Sequence, residues 1–544
     1  MIGENEEVMW GRRGLDRRAF LRRAGGAAAG LFAAGALPLA VVEGASIAAA
    51  DARRSNEAYR IRLEAASLAQ HRPSVSHPNN GEEDLYPNKI ACYSKGLPHN
   101  GLGEVDLAAY AVMLAALKSG RKSDFEAIPV GFGRKLTNPM SGLAFDLEGP
   151  DSHHLTMRPA PVIAGAEGAS EMAEVYWMAL CRDIHFSDYG SAPAIAAAAE
   201  DLSAFTDFRG PKNGGAVVPA TIFRGSTPGD LVGPYLSQFL WLDIPMGALL
   251  IRQRMGTTLP GADYMTGYDE WLAVQNGFEP GPYSLDPTPR YIRNLRDLGE
   301  WVHVDALYQA YHQACLILLG MAAFDAGNPY SASSKQIGFG TFGGPHILSL
   351  VTEVAARALK AVWYQKWFVH RRLRPEAFGG LIHNTRTGHA DYPVNAELLN
   401  SSALDAVAAD YGSFLLPLGA PEGCPTHPSY GAGHATVAGA CVTILKAWFD
   451  ESFVIPNPVV PDALGTSLLP HTGPALTVGN ELNKLAANVA IGRNAIGFHY
   501  RSDYSESLKL GEAVALGILE EQRGCYAEPV SFTLTKFDGT TVTV

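Results

Sequence analysis

The sequence predicts an all-α fold: a mainly helical globule with long loops and one small C-terminal β-hairpin. Three observations carry the prediction. Apolar residues recur at three-to-four spacing in long stretches, most densely in the C-terminal half. Period-two alternation is confined to the tail "VSFTLTKFDGTTVTV", where Asp538-Gly539 supplies a hairpin turn. A 544-residue chain with 47% hydrophobic and 18% charged residues has enough apolar surface for a large buried core.

The elements follow in chain order. "DRRAFLRRAGGAAAGLFAAGALPLA" sets Arg17 and Arg18 before Phe20 and Leu21, then runs into alanine and glycine. Small residues from Ala45 to Ala52 offer a cleavage site. This resembles a twin-arginine export signal over residues 1–50, with a mildly amphipathic helical extension as the alternative. Export by that route implies a periplasmic or extracellular protein with no membrane anchor after cleavage. The run is too poor in leucine for a permanent span. Residues 51–70 read as a charged helix, followed by the exposed loop "HRPSVSHPNNGEEDLYPNK". Residues 170–182, 194–205 and 295–323 read as helices, separated by Gly/Pro-rich connections such as "RGPKNGGAVVP" and "NGFEPGPYSLDPTPR". Four helices then dominate, at 346–370, 433–449, 480–495 and 503–522. Nothing marks a linker between two domains.

Several functional classes are set aside at once. A net charge of −12 argues against a nucleic-acid partner, because phosphate backbones repel an acidic surface. Six cysteines with no CxxC pair argue against a thiolate zinc site and exclude a dense disulfide framework. "GFGTFGG" matches GxGxxG at Gly338, Gly340 and Gly343, but no strand is expected before it, as a dinucleotide site requires. The pair His153-His154 reads as solvated loop histidines.

Three other segments belong together. "KWFVHRRLRPEAFGG" carries Lys366 and Arg374, eight residues apart; "HPSYGAGH" carries His427, Gly433 and His434; "IGRNAIGFHYRSD" carries Arg493, His499 and Asp503. Each alone has a bland reading: "RRLR" as a solvated basic face, a lone histidine as structural. Together they supply three cations, two of them planar forks suited to oxyanions. Gly433 opens a helix and presents a backbone N–H where the helix dipole is positive. Two histidines provide a nucleophile or metal ligand and a general acid-base. Asp503, four residues after His499, is spaced to orient the second ring nitrogen. The set suits a tetrahedral oxyanion that becomes five-coordinate, a description that phosphate and vanadate both satisfy.

The ordered motifs resemble the acid phosphatase and vanadium haloperoxidase superfamily, and within it the alga-type vanadium bromoperoxidases. "THPSYGAGHAT", "NVAIGRNAIGFHYRSD", "YWMALCRDIHFSDY", "RRSNEAYRIR" and "LPHNGLGEVD" all look like segments of that group, so the likeness spans most of residues 51–544. The resemblance implies one catalytic domain of helix bundles, with active-site motifs between residues 360 and 505, commonly assembled as homo-oligomers. It implies vanadate as cofactor, with His499 as the vanadium ligand and Lys366, Arg374, Arg493 and the Gly433 amide on its oxygens. His434 would move protons, Lys366 would polarise bound peroxide, and His427 and Trp363 would line the halide side. The implied substrates are hydrogen peroxide, bromide or iodide, and small organic nucleophiles. A phosphomonoesterase using His499 as nucleophile is the alternative on the same scaffold. One position departs from the pattern. The residue before the Gly–His pair is usually serine, and here it is Ala432. A hydrogen bond to a charged group is worth about 1.5–3 kcal/mol, so weaker vanadate binding is expected unless another donor compensates.

Overall fold

The computed structural model describes residues 52–544, apart from Pro282 and Ser284. The expected signal at residues 1–50 lies outside them. The chain divides into a unit ending at Arg60, helical over its described residues, and a unit from Ile61 to Val544. Helices of eight or more residues are α1 (Ala52–His71), α2 (Leu107–Ser119), α3 (Ala166–Leu180), α4 (Pro193–Ala204), α5 (Tyr268–Gln275), α6 (Leu295–Val304), α7 (Gln309–Met321), α8 (Gly344–Tyr364), α9 (Pro375–Arg386), α10 (Ser402–Tyr411), α11 (Gly433–Trp448), α12 (Val478–Ala495) and α13 (Arg501–Arg523).

Helix α11 explains the centre of the larger unit. Its sequence, "GHATVAGACVTILKAW", has one basic residue in its last turn and is buried at every position but His434. A helix apolar on all sides must be surrounded, and α8, α12 and α13 pack around it. Small residues set the closest approach. A Cβ on Gly439 would lie 2.2 Å from the Leu508 carbonyl oxygen of α13, and one on Gly511 would lie 2.0 Å from that of Thr436. Glycine there lets the two backbones touch. Helix α6 docks on α12 in the same way, where a Cβ on Gly492 would meet Leu298 at 3.0 Å.

Two departures from the sequence reading matter for function. The stretch 295–323 is not one helix but two, α6 and α7, interrupted at residues 305–308. Asp305 has an extended backbone and its carboxylate meets His434, and Gln309 Oε1 accepts the Ala306 N–H as the chain restarts. The second departure is that α8 runs into a wider π-helical turn over Gln365–His370, closed by Arg371 N–H donating to the Lys366 carbonyl. Such turns rotate side chains off the regular helical face, and Lys366 is one of them.

The tail pairs as predicted, β7 (Thr533–Thr535) against β8 (Thr541–Thr543). Among the described residues, three more antiparallel strand pairs occur where only loops were expected: β1 (Ile244–Met246) with β2 (Leu249–Ile251), β3 (Met255–Thr258) with β4 (Leu285–Arg290) across a connection that holds α5, and β5 (Val459–Pro461) with β6 (Leu468–Pro470). Strands this short, largely exposed and rich in proline, leave no alternating signal to read. The Gly338–Gly343 turn leads into α8, and the element before it is helix α7, not a strand. His153 is exposed and bonds Asp151. All six cysteines are free, and only Cys525 is exposed. Among the described residues no helix is long and apolar enough to cross a membrane.

Candidate active site

The π turn delivers Lys366 into the core with its Nζ donating to the carbonyls of Pro428 (2.8 Å) and Ser429 (3.0 Å). Nζ also lies 5.7 Å from the Trp363 ring centre. Arg374 immediately precedes the Pro375 that opens α9, and its guanidinium reaches three partners. Nε donates to the His427 carbonyl (2.9 Å), Nη1 to the Phe498 carbonyl (2.8 Å), and Nη2 faces His427 Nδ1 (2.8 Å). Nη1 also lies 3.0 Å from His499 Nε2. Arg493, in the last turn of α12, donates from Nη1 to the Val302 carbonyl (2.8 Å) and stacks on Phe498. Its Nε is buried with no hydrogen-bond partner.

The histidines complete the cluster. His499 Nδ1 sits 2.8 Å from Asp503 Oδ2, and Asp503 Oδ1 accepts from Arg372 Nη1 at 3.0 Å. With Nδ1–H given to Asp503, the Nε2 lone pair is left toward Arg374. His434, in the first turn of α11, pairs through Nε2 with Asp305 Oδ1 at 2.8 Å. The His427 ring lies 4.7 Å from that of Trp363, and a Cβ on Gly433 would touch the same indole at 3.3 Å. Every side chain named in this role from the sequence therefore falls in one cluster, buried except at His434, whose side chain is 16% exposed. Ala432 sits directly before it, as the N-cap of α11, with its N–H donating to Ser507 Oγ (2.7 Å).

Burial and mutual repulsion dominate the electrostatics. Desolvation first, and then the other cations, push the pKa of Lys366 well below its ordinary range and that of Arg493 down to about 10. The pKa of Arg374 is also lowered, mainly by burial. His427 and His499 are driven well down by burial and by Lys366 and Arg374, so both rings are neutral. Burial lowers His434 as well, against the pull of Asp305. The two carboxylates that touch the cluster are already engaged, Asp503 by Arg372 and His499 and Asp305 by His434. What is left is a cationic pocket with an imidazole Nε2 that faces Arg374 Nη1 and an unpartnered guanidinium N–H on Arg493. Those donors fit an oxyanion able to take one nitrogen ligand.

Sequence reasoning missed the residues that support the cluster from behind. "RRLR" is no solvated face: Arg372 is buried between Glu171, Ser502 and Asp503, and Arg371 pairs with Glu83. The basic run faces inward because acidic partners from distant segments meet it there. Asp305 was also missed, since no spacing connects it to His434.

A family model described as the VCPO second helical-bundle domain matches residues 346–526, the stretch holding all three motifs. A vanadium-dependent bromoperoxidase of Corallina pilulifera is 40% identical over 592 aligned positions, spanning 90% of this chain and 98% of the relative. The chain belongs to the vanadium-dependent bromoperoxidase family. A second bromoperoxidase, from Ascophyllum nodosum, is 37% identical over 514 positions, with 89% of this chain covered and 91% of the relative. The solved structure of the second vanadate-dependent bromoperoxidase from Ascophyllum nodosum, a homohexamer, superposes with a TM-score of 0.88 at 31% identity, covering 94% of each chain. The bromoperoxidase fold thus extends over nearly the whole length, and the mainly helical class read from the sequence holds.

Proposed function

We propose that this chain is a vanadate-dependent haloperoxidase that oxidises bromide or iodide with hydrogen peroxide to hypohalous acid, which halogenates small organic nucleophiles. The observation that carries the reading is the buried trio Lys366, Arg374 and Arg493 around His499, whose Nδ1 is held by Asp503 and whose Nε2 faces Arg374 Nη1 at 3.0 Å. His499 Nε2 would ligate vanadium, and the three cations with the Gly433 N–H would hold the oxyanion oxygens. Vanadate, when bound, supplies a Lewis-acid centre that activates peroxide without itself changing oxidation state.

The chain's own residues do the rest. Lys366 uses two of its three N–H bonds on carbonyls, which leaves one for a substrate oxygen. His434 has Nε2 held by Asp305, so Nδ1 is the atom that accepts a proton from hydrogen peroxide and returns it to the leaving oxygen. The Asp503–Arg372–Glu171 chain fixes the His499 tautomer. Trp363 and His427 wall the halide side. Burial of the whole cluster excludes water and strengthens each of these contacts.

We further assign residues 51–544 to one catalytic domain. We assign residues 1–50 to a twin-arginine signal, with export to the periplasm or beyond. Homo-oligomeric assembly is supported by the hexameric Ascophyllum relative. The test uses the purified protein with orthovanadate, hydrogen peroxide, bromide and a phenol-based bromination reporter, with phosphate-ester hydrolysis assayed in parallel. Vanadate-dependent bromination is expected. Ester hydrolysis without bromination would instead favour the phosphomonoesterase. His499→Ala is expected to abolish vanadate binding and turnover, and normal vanadium content in that variant would overturn the assignment.

A further inference from the structure

The three short strand pairs of the larger unit meet at one corner, around residues 238–242. The Gln238 side-chain amide grips Val459 of β5 from both ends, donating to its carbonyl (2.9 Å) and accepting its N–H (2.7 Å). Gln253 donates to the carbonyls of Phe239 (2.8 Å) and Leu242 (2.7 Å), which fixes the root of the β1–β2 hairpin. Past β4, Tyr291 N–H donates to the Gly465 carbonyl and Arg290 Nη1 to that of Leu464, both in the β5–β6 connection.

The hairpin that projects from this corner is apolar where it meets solvent. Its turn is Gly247-Ala248, with Gly247 at φ 59°, the sign that the first position of a type II′ turn requires. Ala248, Leu249, Leu250 and Ile251 are four consecutive exposed residues, and Met246, opposite Leu249, is exposed as well. Leu249 and Leu250 keep 66% and 65% of their surface in solvent. Only the Pro245 side is seated, on α7, where a Cβ on Gly320 would lie 3.0 Å from the proline ring. With Leu464 and Leu469 of the neighbouring strand pair, these side chains expose on the order of 600 Å², the lower end of what one partner gives to a specific interface.

The backbone points the same way. Pro245 has no N–H, so Pro245–Leu250 is the non-hydrogen-bonded pair of the hairpin, and the Leu250 N–H and C=O turn outward. Neither has a partner among the described residues. An exposed apolar strand edge is a template for another strand. Antiparallel pairing of β2 with itself sets Leu250 opposite the same residue of a second copy, so one edge serves both partners, as a two-fold contact requires. We propose that two copies of this chain join through their β1–β2 hairpins, β2 against β2, into one four-stranded sheet. The inference deepens the homo-oligomeric reading and rests on it. A net charge of −12 makes an anionic membrane the poorer partner for this surface.

The test is sedimentation of the purified protein, with helical circular dichroism read on the same samples to verify folding. Leu250→Pro removes the outward N–H without touching a bond inside the hairpin, and Leu249→Lys places a charge on the apolar face. The parent is expected as an even-numbered oligomer. Each variant is expected at half the parent's mass or less with unchanged helicity, and a variant that loses helicity leaves the decision to the other. A parent oligomer that the folded variants preserve overturns the proposal and leaves the homo-oligomeric reading standing. A monomeric parent sinks both. A monomeric parent that co-sediments with vesicles of phosphatidylglycerol and phosphatidylcholine assigns the hairpin to a lipid surface instead.

Discussion

At the scale of single residues, the reactive atom is set by what stands behind it. His499 offers Nε2 because Asp503 accepts at Nδ1, and Asp503 can do so because Arg372 and Ser429 hold it in turn. Asp503→Asn leaves the shape but loses the charge that fixes the tautomer. Removing the carboxylate behind a metal-ligating histidine typically lowers metal affinity about 10- to 100-fold. That loss is the expected result of titrating orthovanadate against the variant, and unchanged affinity would contradict the arrangement. Lys366, Arg374, Gly433, His434, Arg493 and His499 were readable in the sequence, since packing alone rarely places so many cations, imidazoles and glycines in three short motifs. Asp305 was not, because 129 residues separate it from His434 and only the fold joins them. Arg372 was not singled out for a related reason: its partner Glu171 lies 201 residues away. Ala432 keeps its departure from the usual serine, with hydroxyls close by on Ser429, bonded to Asp503, and Ser507, bonded to the Ala432 amide.

At the scale of elements, the site depends on how closely α11 and α13 approach. One carries Gly433 and His434 at its start, and the other begins beside His499 and carries Asp503. Gly511 sits where a methyl would meet backbone rather than a yielding side chain. Gly511→Ala is therefore expected to force the helices apart at a cost of about 1–3 kcal/mol. A lower thermal midpoint and reduced turnover would follow, and an unchanged midpoint would show that the pair is looser than described. Most helices were readable from their periodicity. The break between α6 and α7 was not, since the apolar spacing runs straight through 295–323 and the interruption coincides with a tertiary bond from Asp305 to His434. The short strand pairs escaped because strands of three to six residues, several interrupted by proline, carry no alternating pattern.

At the scale of the whole molecule, the unit from Ile61 to Val544 is also tied together by charge across segments. His303 at the end of α6 meets Glu422 at 2.6 Å. Burial alone would lower the His303 pKa, but hydrogen bonds with Glu300 and Glu422 outweigh it and raise the value to about 9. Burial likewise opposes ionisation of Glu422, yet the His303 contact holds its pKa below the usual carboxylate range. A raised histidine pKa contributes stability that is complete below its ordinary value near 6.5 and is lost as pH rises through about 9. The lowered carboxylate pKa requires pH above about 4.3 for its share. The pair therefore stabilises the fold from mildly acidic to mildly alkaline conditions. Glu422→Gln is expected to cost about 1–2 kcal/mol at pH 7. Urea unfolding should show the gap between variant and parent closing by pH 10, and a gap that persists there would refute this account.

The crowding of Lys366, Arg374 and Arg493 has one more consequence. Like charges held together out of water work against the folded chain, and a captured oxyanion reverses their sign of contribution. Folding and anion capture are then two halves of one equilibrium. An oxyanion at a hundred times its dissociation constant adds about 2.7 kcal/mol to the native state. The cofactor, in this sense, is also a keystone: the pocket that makes it reactive is one that its charge helps to keep closed.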